Sequence, residues 1–147
     1  MSFVSPPGID ILFSMEGKKI LVVEDDRSLA RLMEIMLGGR GARVVLCHAP
    51  FSAVNLARRL RPDLVILDIH LPRFSGLWVL KKLRQEEETR EIPVLVSSVL
   101  SDEKRIRQLE EMGRTHFVPK SKGIGALLEK VEELLEGRPR ERGRPGE

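Results

Sequence analysis

Asp68 closes the apolar run Leu64 to Leu67, and Glu24, Asp25 and Asp26 close another, "KILVV". Ser97 and Ser98 close "PVLVSS", and Lys120 stands just past "HFV". A carboxylate at the edge of an apolar run costs several kcal/mol unless something compensates it. If the runs are neighbouring strands, these groups converge. Three carboxylates about 5 Å apart then repel by about 3 kcal/mol per pair at an effective dielectric near 20. A hard divalent cation relieves that repulsion, and Mg²⁺ suits oxygen ligands together with retained waters. A carboxylate beside Mg²⁺ and a lysine is a nucleophile towards a phosphoryl group. Metal, ammonium and a hydroxyl can each hold an oxygen of the transferred group. Each residue also has an ordinary reading: helix-start acids for Glu24 and Asp25, a cap or first-turn acid for Asp26, a turn residue for Asp68, a satisfied hydroxyl for Ser98, a surface cation for Lys120. Their joint arrangement argues for one site.

The elements that must position these groups alternate regularly. "KILVV" reads as a strand and "RSLARLMEIML" as a helix ended by Gly38-Gly39. "ARVVLC" is a second strand, and "FSAVNLARRL" a helix stopped before Pro62. "LVIL", "GLWVLKKLRQ", "PVLVSS", "DEKRIRQLEEM", "HFV" and "IGALLEKVEELLE" continue the pattern, with Gly113 and Gly137 after the last two helices. Five β-α units without a repeated motif imply a parallel sheet with helices on both faces. The continuous apolar runs suit strands buried on both sides. Sites in such sheets lie beyond the carboxyl ends of the strands. Trp78 is expected to pack the third helix onto the sheet.

The 147 residues suit one domain with short extensions. Residues 1–17 read as a flexible leader, 18–136 as the domain and 137–147 as a disordered arginine-, proline- and glycine-rich tail. Met15 is a candidate start. The tail holds four arginines and two glutamates, a solubilising end or a linker remnant and weak evidence for nucleic-acid binding. No apolar run approaches the roughly 18–20 residues of a membrane span, and the N-terminus is a poor secretion signal. A single cysteine, Cys47, excludes an internal disulfide framework. The cytoplasm is the expected compartment. His48, His70 and His116 lack metal-ligand spacing and read as structural or surface residues.

"ILVVEDD", "DLVILDIHLPRFSG", "IPVLVSS" and "GRTHFVPK" together resemble the receiver domain of two-component response regulators, over about Lys18 to Glu136. The spacings are family-like: 43 residues from Asp25 to Asp68, 30 from Asp68 to Ser98 and 22 from Ser98 to Lys120. The resemblance implies an α/β, flavodoxin-like (βα)5 fold with a doubly wound parallel five-stranded sheet in the order 2-1-3-4-5. It implies Asp68 as phosphoacceptor for a phosphoryl group from a histidine kinase or phosphotransfer protein. Glu24, Asp25, Asp68 and the backbone carbonyl of His70 match the Mg²⁺ ligands. Lys120 matches the lysine contacting the phosphoryl group, Ser98 the switch hydroxyl, and Phe117 the aromatic whose rotation reports phosphorylation on the face formed by helix four, strand five and helix five. Pro72 and Gly76 match the loop after the acceptor, where glycine allows unusual backbone angles. The resemblance further implies that chemistry is confined to self-catalysed transfer and autodephosphorylation, as in a signalling protein and not an enzyme in the usual sense.

Val99 replaces a small residue and is expected to crowd the space near Ser98. Ser121 replaces a proline whose preceding bond is usually cis, which could re-aim Lys120, and Pro119 removes a backbone donor. No output domain is expected after helix five. Signalling would pass to a protein partner or a homodimer, without direct DNA or membrane binding. The alternative is a pseudo-receiver, an interaction module without phosphoryl turnover. A haloacid dehalogenase-type phosphatase needs D-x-D on the first strand, whereas Asp68-Ile69-His70 lies on the third. A G-x-x-x-x-G-K-[ST] nucleotide loop is absent.

Overall fold

Leu64, Val65, Ile66 and Leu67 are all buried, as a strand covered on both faces requires. In the computed structural model this strand is the middle of a parallel sheet, and residues 14–69, 76–99 and 102–136 are described. In chain order the elements are β1 (Lys19–Val23), α1 (Arg27–Gly38), β2 (Arg43–Cys47), α2 (Pro50–Leu60), β3 (Leu64–Leu67), α3 (Gly76–Gln85), β4 (Val94–Ser98), α4 (Glu103–Glu110), β5 (Thr115–Pro119) and α5 (Gly123–Leu135), with a 3-10 turn at Lys120–Lys122. The strands lie in the order β2-β1-β3-β4-β5, all parallel. This is the expected flavodoxin-like arrangement.

Alternation along the strands splits the core in two. Leu21, Val23, Val65, Leu67, Val94 and Val96 face one side, with Val79, Leu80 and Leu83 of α3 and Leu109 of α4. Ile20, Val22, Leu64, Ile66 and Leu95 face the other, with Met33 and Leu37 of α1 and Leu127, Leu128 and Val131 of α5. Among the described residues, no helix is long and apolar enough to cross a membrane.

Two local expectations need correction. Met15 does not belong to a loose leader: it is fully buried in the α1–α5 core. Its N–H donates to the Arg40 carbonyl at 2.8 Å, and its own carbonyl accepts from the Lys18 N–H at 3.0 Å. Burying an unbranched thioether there closes the end of that core, which the strand pattern from Lys18 could not signal. Trp78 lies on the outer side of α3, 36% exposed, and the smaller Val79, Leu80 and Leu83 fill the seam with the sheet. Residues 1–13 and 137–147 lie outside the described residues.

Candidate phosphoryl and metal site

Register brings the chemistry together at the carboxyl ends of the strands. β1 and β3 are aligned so that Val23 stands beside Leu67, and the next residues, Glu24 and Asp68, emerge side by side. The Asp68 N–H continues the ladder by donating to the Val23 carbonyl at 3.0 Å. On the other side of β3, β4 runs to Ser98, which pairs with Pro119 at the end of β5. Lys120 follows immediately. Asp26 is the N-cap of α1, its carboxylate accepting from the Leu29 N–H at 3.1 Å. That cap starts α1 and leaves Glu24 and Asp25 as the loop acids not used to cap the helix.

Glu24, Asp25 and Asp68 each offer one carboxylate oxygen within 4.8 Å of the others. Glu24 and Asp68 are buried and Asp25 is exposed. The Lys120 ammonium reaches both buried acids, 3.0 Å from Glu24 Oε1 and 3.0 Å from Asp68 Oδ2. Glu24 Oε2 also accepts from the Asp26 N–H at 3.2 Å. Burial pushes the Glu24 carboxyl up to about 7; the Lys120 hydrogen bond works against this, and the Asp68 charge adds to it. Burial alone would lower the Lys120 pKa, but its hydrogen bonds to Glu24 and Asp68 outweigh that and hold it above the ordinary value.

This donor set fits Mg²⁺. Its oxygens are hard, they converge, and the exposed Asp25 leaves a side open to water. A second observation points to an incoming group. Ser98 Oγ is wholly buried and has no hydrogen-bond partner among the described residues. A buried hydroxyl left so costs about 1–3 kcal/mol, which an acceptor oxygen arriving beside it would recover.

Several sequence expectations change in detail. Gly76 is needed for space and not for an unusual backbone angle. A Cβ there would stand 2.3 Å from the Asp68 carbonyl oxygen and 2.6 Å from Ile69 Cα. The Gly76 N–H donates to the Ile69 carbonyl at 2.9 Å, so α3 starts hard against the acceptor's own backbone. Val99, expected to crowd the space near Ser98, is 70% exposed. Phe117 is partly buried against the α3–α4 side of the core, beside Val96 in the register. Among the described residues no peptide bond is cis, and Lys120 reaches Asp68 nonetheless. The His70 carbonyl and Pro72 lie outside the described residues.

Sequence reasoning missed His48. Its Nδ1 lies 2.8 Å from the Glu24 carbonyl oxygen. A lone histidine in "CHAP" carries no spacing signal, and only the pairing of β1 with β2 brings it to the acids.

Comparison with known proteins agrees with this geometry. The family model described as the response regulator receiver domain matches residues 20–132. The polar-differentiation response regulator DivK of Brucella ovis is 32% identical over 121 residues, covering 80% of this chain and 96% of that protein. Among solved structures, the BeF3-activated N-terminal receiver domain of Klebsiella pneumoniae RstA is 28% identical with a TM-score of 0.70, covering 80% of this chain and 97% of that one. The signal receiver domain of a signal transduction histidine kinase from Syntrophus aciditrophicus is 29% identical with a TM-score of 0.72, covering 82% of this chain and 92% of that one.

Proposed function

The chain belongs to the response regulator receiver family, and from that premise we propose that it accepts a phosphoryl group on Asp68. Membership makes it a signalling protein that works with histidine kinases or phosphotransfer proteins. The observation that carries the finer reading is the pairing of Lys120 with both buried acids, with Ser98, whose buried hydroxyl has no partner among the described residues, in register with Pro119 just before that lysine. An Asp68 oxygen attacks phosphorus, a P–O bond forms, and the P–N bond to the donor imidazole breaks. The imidazole departs with the bonding electrons and takes a proton from solvent. Lys120 holds a phosphoryl oxygen, and the Ser98 hydroxyl donates to another. Glu24, Asp25 and Asp68, with the His70 carbonyl as a further ligand, would hold Mg²⁺, which neutralises charge on the transferred group when bound.

The RstA relative is described in a BeF3-activated form, which supports a phosphoryl-mimic experiment here. Movement of Ser98 towards the phosphoryl group would free space behind it, and Phe117 would shift further into the core. That change would reach the α4–β5–α5 face, where a partner protein or a second copy reads it. The receiver unit spans residues 18–136, extended at its start to include Met15, and acts in the cytoplasm.

Mass spectrometry after incubation with acetyl phosphate and Mg²⁺ tests the reading. A mass gain of one phosphoryl group is expected in the wild type and none in Asp68→Asn. Full labelling of the Asn variant would overturn the assignment, and an unlabelled wild type would leave an interaction module without turnover.

A further inference from the structure

Both backbone polar groups of Glu24 are held by two consecutive residues at the end of β2. The Glu24 N–H donates to the Cys47 carbonyl at 3.0 Å. The Glu24 carbonyl lies 2.8 Å from His48 Nδ1. A carbonyl can only accept, so Nδ1 carries the proton in this bond. The Glu24 carbonyl is half of the peptide plane that leads into Asp25. Rotating that plane swings the Asp25 N–H and Cα together.

The acids of the site are not equally restrained. Glu24 has Lys120 on one oxygen and the Asp26 N–H on the other. Asp68 has Lys120. The exposed Asp25 carboxylate has no hydrogen-bond partner among the described residues. Its aim is therefore set by the backbone on either side. Downstream, Asp26 is fixed as the N-cap of α1. Upstream, the restraint is the bond from His48. Resting on the metal-binding reading above, we propose that His48 is a positioning residue: it clamps the Glu24–Asp25 peptide and so aims the Asp25 carboxylate at the metal.

Asparagine offers a clean replacement. Its amide Nδ2 sits the same number of bonds from Cβ as the histidine Nδ1 and can donate to the same carbonyl. Leucine keeps similar bulk with no donor. Mg²⁺ titration followed by amide NMR, with melting in EDTA as a folding control, separates the cases. His48→Leu is expected to weaken Mg²⁺ binding by about ten-fold, the usual scale for a residue supporting a metal ligand. His48→Asn is expected to bind within about three-fold of wild type, because the donor is restored. In an Asp25→Asn background, His48→Leu should change affinity by less than about two-fold, since the ligand it aims is already neutral.

A folded His48→Leu with wild-type affinity, an Asn variant as weak as the Leu variant, or a Leu effect undiminished in the Asp25→Asn background would each overturn the inference. Should His48→Leu fail to fold, His48→Phe, which keeps a ring and removes the donor, takes its place alone and in the Asp25→Asn background, with the same expected and overturning results. Failure of the underlying reading looks different: the wild type itself then shows no saturable Mg²⁺ shifts at Glu24, Asp25 and Asp68.

Discussion

The Lys120 ammonium lies 3.0 Å from Asp68 Oδ2, although 52 residues separate the two in sequence. The same ammonium lies 3.0 Å from Glu24 Oε1, so one cation serves two buried carboxylates. Removing it leaves both acids without their shared counter-charge. Lys120→Met is expected to cost about 3 kcal/mol of stability at pH 8, the lower end of what breaking a buried pair costs. At pH 5 the loss should shrink, because Glu24 then takes up a proton. Urea titrations at both pH values check this. Equal losses would mean that the pairing of Lys120 with Glu24 is energetically unimportant.

Glu24 itself gives a pH dependence with a definite sign. Its folded carboxyl is raised from 4.5 to about 7, mainly by burial. Between those values the folded chain binds more protons at this group than the unfolded chain. Stability from this group therefore falls as pH rises through that window. Glu24→Gln removes the term. In EDTA, the stability of the variant relative to wild type should increase by about 3 kcal/mol between pH 4.5 and pH 8. A difference that is flat with pH would place the Glu24 carboxyl at its ordinary value.

Gly76→Ala would set a methyl group 2.3 Å from the Asp68 carbonyl oxygen. The obstacle is backbone, which cannot swing aside as a side chain can. A loss of about 1–3 kcal/mol is expected, together with weaker Mg²⁺ binding as Asp68 is displaced. Thermal melting and metal titration of the same sample test both effects. Unchanged stability would show that the start of α3 can retreat from β3 freely.

Met15→Ala tests the segment before β1. Met15 is fully buried between α1 and α5. The expected loss is about 2–5 kcal/mol, the range for truncating a buried methionine. Ser14→Ala, on an exposed neighbour, serves as the control. A Met15 variant as stable as that control would put the segment outside the folded unit.

Ser98→Ala separates the resting from the phosphorylated state. The hydroxyl is buried with no partner among the described residues, so its removal should leave metal-free stability unchanged or raise it by about 1 kcal/mol. Beryllofluoride with Mg²⁺ should then shift Phe117 less than in wild type by NMR. Equal shifts would remove Ser98 from the switch.

What the sequence determined by itself was local or repetitive. The runs at Ile20–Val23 and Leu64–Leu67 mark buried strands because every residue in them is apolar, and helical spacing marks α1, α2, α3 and α5. The acids, hydroxyl and lysine at the strand ends were legible for the same reason: polar groups that interrupt apolar runs stand out. Their order and separations carried the family likeness and, with it, the strand order. Tertiary structure decided which of these groups touch. Lys120 meets Glu24 as well as Asp68 because β5 lies beyond β4 and β1 lies beside β3, so that three separate turns share the carboxyl end of the sheet. Gly76 is constrained by an approach to Asp68 and Ile69 that no turn signal encodes. Met15 joins the core through the Arg40 turn, and His48 reaches Glu24 through the β1–β2 pairing. Periodicity reports which face of an element is apolar; it does not report what lies against that face. Contacts between residues far apart in sequence, and the pKa shifts that follow from them, appear only once the strands are stacked in register.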